Sequence, residues 1–163
     1  MVWVGEVSKI VESLLTENAS PSREQLRAHR KVLWLAWSRA QHGLALNALE
    51  QRIVAVIALH PEYHAMFRDK EAFLDRDQHP DDGLNPYLHL SLHLALEEQL
   101  ATSQPPAIVV ALHHLMQVKG MERHQALHKL LELLAETVHQ AQHNGGEPDV
   151  LAYQHRLEEI TRA

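Results

Sequence analysis

Apolar residues recur at helical spacing along almost the whole chain, and no run of β-branched residues alternates between turn signals. That single period predicts an all-α fold, a single-domain helical bundle of about six to seven helices. At 163 residues and 18.6 kDa the chain is long enough for one real core and short for two. Trp3, Val7, Ile10, Val11, Leu14 and Leu15 place one apolar face on an amphipathic helix, so residues 1–19 read as an N-terminal extension and residues 20–163 as the bundle domain. Ser20 reads as an N-cap with Pro21 at the first helical position, opening a helix to about Gln41 that Gly43 closes. A further helix is expected from Asn47 through Leu59, ended by Pro61. The polar stretch 69–84 reads as the longest loop. Asn85-Pro86 then supplies a cap and an N1 proline for a helix that stops near Ser103, before Pro105-Pro106. A shorter helix ending near Gly120, one from His124 to the Asn144-Gly145-Gly146 break, and a last one over about Pro148 to Thr161 complete the expected order.

Composition removes several kinds of function. The formal charge of −6 and the absence of any Lys/Arg cluster argue against a nucleic-acid partner. No apolar run approaches the ~20 residues needed to span a bilayer, and the start lacks the charged and apolar regions of a signal peptide. The expected compartment is therefore cytoplasmic, with no membrane partner. There is no cysteine, so disulfides, thiolate metal sites and cysteine nucleophiles are excluded. Any metal must be held by nitrogen and oxygen.

The 14 histidines are where such chemistry concentrates. His89, His93 and Glu97 succeed one another at four-residue intervals, which puts them within an arc of about 80° on one helical face. Leu92, Leu96 and Leu100 lie between or beside them, while Ser91 and Glu98 take the opposite face. The imidazoles thus sit in the middle of an apolar stripe, where they need hydrogen-bond partners, ion pairs or a metal. A lone histidine on such a face is ordinarily a satisfied core residue; three ligand types in register point to a metal. His124, His128 and Glu132 repeat the spacing, with His124 inside the arc of Leu127, Leu131, Leu134 and Val138 and the other two at its edge. The plain alternative there is a solvated flank carrying i,i+4 pairs, and His139 could replace one of the ligands. His60 and His64 bracket Pro61-Glu62-Tyr63 at an expected helix boundary, where the backbone can aim both rings inward. His29, His42, His79, His113, His114, His143 and His155 lack this context and read as solvated or incidental.

The order Pro-Ser-Arg-Glu-Gln, His60-Pro-Glu-Tyr-His64, Asp82-Gly83, Asn85-Pro86-Tyr-Leu-His89-Leu-Ser-Leu-His93, Glu98-Gln99, Gln104-Pro105-Pro106 and Ala141-Gln142 resembles a bacterial family catalogued as domain of unknown function 1841. The resemblance runs from about Pro21 to Tyr153 and implies no particular activity. By spacing alone the helices are also similar to those of hemerythrin-like proteins, whose HxxxE and HxxxH helices hold a di-iron centre. That second likeness is an analogy of ligand spacing.

These residues lead to an expected dinuclear non-haem centre with metal ligands His60, His64, His89, His93, Glu97, His124, His128 and Glu132. Six imidazoles and two carboxylates exceed the needs of one zinc ion and fit two metal ions, iron first, with manganese or zinc as alternatives. Oxygen or redox chemistry would follow with iron, with dioxygen or a small molecule as partner and Tyr63 or Tyr87 as a hydrogen-bond donor. A mononuclear zinc hydrolase is a second reading, although no HExxH is present. A third is a metal-free interaction module built on a buried His/Glu hydrogen-bond network. The apolar face around Trp3 could also pair with a second copy as a homodimer.

Overall fold

The computed structural model describes residues 22–76 and 85–162. The expected helix around Trp3, the Ser20-Pro21 start and the polar residues 77–83 lie outside them. The described residues form seven α-helices and one 3₁₀ segment, with no strand among them. None of these helices is long and apolar enough to cross a membrane. By contact density the chain divides into two compact units, Ala19–Leu94 and the part beginning at Ala95.

In the first unit, α1 spans Arg23–Gln41 and α2 spans Ala48–Ala58. The 3₁₀ segment Pro61–Arg68 and the short α3, Lys70–Asp75, follow. Each start has a local cause. Ser22 accepts from the Gln25 amide while the Gln25 side chain accepts from the Ser22 amide, so α1 is opened by a capping box at Ser22. Asn47 and Glu50 repeat this arrangement at α2. Asp69 caps α3 by accepting from the Ala72 amide, so part of the polar stretch read as loop is helical. Its large apolar positions are only Phe73 and Leu74, too few for periodicity to reveal, and both are buried. Leu33, Ala36, Ile53, Val56, Ile57 and Phe67 form the rest of this core.

Arg30 ties α1 to the end of α3. Its guanidinium is buried, donates to the carbonyls of Leu74 and Arg76 at 2.9 and 3.0 Å, and lies 4.1 Å over the Tyr87 ring. Outside this core Arg27 pairs with Asp75 and with Glu71, which holds the Asp75 carboxyl below its ordinary range.

Helix α4, Pro86–Thr102, begins as expected, with Asn85 Oδ1 accepting from the Leu88 amide. Every residue from His89 to Leu96 is buried, which is the pattern of a helix apolar on all sides. The face carrying Ser91 and Glu98 is buried too, because both positions are shielded from solvent.

In the second unit, α5 (Ala107–Gln117), α6 (Arg123–Asn144) and α7 (Val150–Ile160) pack against one another. Ile108, Ala111, Leu127, Leu130, Leu134, Tyr153 and Leu157 fill their shared interior. The Tyr153 hydroxyl donates to Gln99 Oε1 at 2.9 Å, and burial pushes its pKa up. Gly145 ends α6 in the left-handed region at φ 64°, where a side chain would be strained.

Candidate metal centre

The end of α2 builds the first part of the site. A helix leaves its last carbonyls without intrahelical donors, and Pro61 prevents continuation by offering no amide hydrogen. The Val56 and Ile57 oxygens accept from the Leu59 and His60 amides at 3.2 and 3.0 Å, and each takes an imidazole as a second donor: His60 Nδ1 lies 2.8 Å from the oxygen of Val56. A carbonyl can only accept, so Nδ1 carries the hydrogen and Nε2 presents its lone pair. His64 uses the next, with Nε2 2.9 Å from the oxygen of Ile57. The two histidines of the His60–His64 motif therefore serve the same helix end with opposite ring nitrogens, and their rings part. His60 turns inward and is fully buried, whereas the His64 ring rests 4.7 Å from that of Trp37.

Helix α4 supplies the second part. His89 and His93, one turn apart, meet His60 in a compact group whose ring centroids are separated by 4.8 Å (His60–His89), 4.6 Å (His60–His93) and 4.9 Å (His89–His93). The three residues are 0%, 6% and 0% exposed. One nitrogen from each lies within 4.8 Å of the others. His60 Nε2 and His89 Nε2 are 3.0 Å apart. The Tyr63 ring stacks on His60 at 5.6 Å and 9°, edge-on to His89 at 5.9 Å. Burial, and then Glu62, raise the Tyr63 pKa above its ordinary value.

This cluster fits a transition-metal ion in chemistry. All its donors are imidazole nitrogens, and His60 is oriented through its remote nitrogen by a backbone carbonyl, the usual arrangement behind ligating histidines. Donors at about 2.0–2.1 Å in tetrahedral array stand about 3.3 Å apart, so the 3.0 Å pair would open by a few tenths of an ångström. Ligation of His89 through Nε2 needs only that its hydrogen reside on Nδ1, a change of tautomer without change of charge.

The other expected ligands have different surroundings. Glu97 forms a two-pronged ion pair with Arg123 at 2.9 and 3.0 Å. Glu132 is exposed and pairs with Lys129 at 3.0 Å. His124 and His128, both half-buried on α6, meet edge to face at 4.4 Å. The Tyr87 hydroxyl donates to the Phe73 carbonyl at 2.6 Å, which holds α4 to α3.

His29, expected to be solvated or incidental, is half-buried instead. Its Nε2 lies 2.9 Å from Ser91 Oγ, and the Ser91 hydroxyl donates to the Tyr87 carbonyl, so His29 is the donor in this pair. Burial, and then the charge of Arg30, lower its pKa to about 4. The sequence holds one sign of this: Ser91 lies among leucines of α4 and needs a polar partner.

Comparison with known proteins assigns a family. The family described as Domain of unknown function (DUF1841) matches residues 22–159. No curated protein matches the chain, and no solved structure does.

Proposed function

We propose that the chain, which belongs to the DUF1841 family, is a metal-binding helical protein holding one divalent transition-metal ion through His60, His89 and His93. The observation that carries this reading is the buried triad with nitrogens within 4.8 Å, its first member aimed by the Val56 carbonyl. Neutral nitrogen donors suit zinc, copper, nickel and iron. The engagement of Glu97 by Arg123 and of Glu132 by Lys129 takes away the bridging carboxylates that a dinuclear iron or manganese centre would use. The reading is accordingly mononuclear. Three imidazoles would leave a position open to water or a further ligand, as catalytic zinc sites do.

A second reading rests on the His60–His89 distance of 3.0 Å, an ordinary N–H···N hydrogen bond. It is a metal-free imidazole network that joins the end of α2 to α4.

The deciding measurement is metal content by plasma mass spectrometry of untagged protein, as purified and after equilibration with zinc, copper, nickel, iron and manganese salts, together with melting in the presence and absence of a chelator. One equivalent, absent from a His89→Ala/His93→Ala variant, is expected. An ion present at 100 times its dissociation constant stabilises the fold by about 2.7 kcal/mol, which chelation removes. Two equivalents of iron or manganese would refute the mononuclear reading in favour of the dinuclear one. No metal and no response to chelator would leave the hydrogen-bonded network.

A further inference from the structure

A second site lies on the other side of the His60–His64 segment and does not depend on the metal. An open groove of about 440 Å³ is bounded by α1 and the 3₁₀ segment, with Trp34, Trp37, His64 and Phe67 as its walls and Ser38 and Arg68 among its polar groups. Its size falls in the range of small-ligand sites. The walls are aromatic: the Trp37 ring is 4.7 Å from His64 and 5.8 Å from Phe67, tilted by 39° and 47°. The hydrogen bond from His64 to the Ile57 carbonyl holds that imidazole as a fixed wall. Among the described residues no carboxylate lines the groove, the guanidinium of Arg68 is among its lining groups, and the Lys70 ammonium lies 5.2 Å over the Trp34 ring. Arg27 and Arg39 of the same unit are paired with acids, whereas Arg68 has no carboxylate partner among the described residues.

We infer that this groove binds a planar aromatic carboxylate, its ring against Trp37 and Phe67 and its carboxylate received by the Arg68 fork. Indole and phenyl faces favour a flat aromatic body over an aliphatic one. A guanidinium without an acid partner matches a carboxylate in geometry as well as charge. Ser38 also lines the groove, and a serine hydroxyl can donate to a bound carboxylate.

The test is calorimetric titration of the full chain with 2-naphthoate, beside 2-naphthalenemethanol as the neutral analogue and cyclohexanecarboxylate as the non-aromatic anion. A ligand of this size, filling such a groove with average efficiency, binds with a dissociation constant at or below about 1 mM. Both controls are expected to bind at least about tenfold more weakly, through loss of the charge-assisted bond or of ring contact. Arg68→Gln, at an exposed position whose change leaves the core intact, should weaken naphthoate about tenfold while leaving the melting temperature unchanged. Trp37→Phe should weaken it less, and should weaken the neutral analogue in proportion. Absence of binding at several millimolar naphthoate would overturn the assignment. So would equal affinity for the neutral alcohol, or full affinity in Arg68→Gln.

Discussion

Acid should destabilise this protein through His29, by an amount the structure allows one to work out. The imidazole is neutral, donates to Ser91, and has its pKa lowered from 6.5 to about 4 by burial and by Arg30. In the unfolded chain it returns to its ordinary value and takes up a proton first. The stabilisation associated with the neutral ring is therefore complete above about pH 6.5. It is lost as pH falls from there toward 4, since only the unfolded state is being protonated over that range. At about 1.4 kcal/mol per tenfold, the loss amounts to about 2 kcal/mol by pH 5 and about 3 kcal/mol by pH 4. The assay is urea unfolding of the wild type and of His29→Gln at a series of pH values from about 7 to 4. The glutamine amide can still donate to Ser91 and has no proton to gain. The wild type should lose about 2 kcal/mol more than the variant between pH 7 and pH 5, with the imidazoles common to both cancelling in the difference. Stability curves that run parallel over this interval would refute the reasoning.

Two further outcomes follow from buried polar pairs. Tyr153→Phe removes the hydroxyl that satisfies Gln99 inside the second unit and should cost about 2 kcal/mol in chemical unfolding; adding Gln99→Leu should recover part of it, because no buried oxygen is then left waiting for a donor. Arg30→Met keeps the aliphatic stem but strips the donors from the carbonyls of Leu74 and Arg76, so a loss of about 3 kcal/mol is expected, read as a lower melting temperature. A change of less than about 0.5 kcal/mol in either variant would show that water replaces the missing partner.

The amino-acid sequence alone determined what depends on neighbours along the chain. Helical periodicity specified the class. Asn47, Asn85 and Gly145 marked helix ends correctly because capping is a contact between residues a few positions apart. The pairing of His89 with His93 was legible for the same reason, since one turn of helix places them on one face whatever surrounds it. Start positions two residues apart were harder: Ser20-Pro21 and Ser22 offer similar local chemistry, and the reciprocal bonds with Gln25 decided for Ser22. Tertiary structure decided how each polar group is satisfied. His60 and His64 look equivalent in sequence, yet the Val56 and Ile57 carbonyls take opposite ring nitrogens, leaving one imidazole in the buried cluster and the other in an aromatic groove. Glu97 has ligand spacing from His93, but Arg123, 26 residues away, claims its carboxylate. His29 had no local sign of burial because its partner, Ser91, is 62 residues distant. Backbone geometry sets which side chains share a face over a turn or two, whereas the partner each polar group finds depends on which surfaces the packed helices bring together.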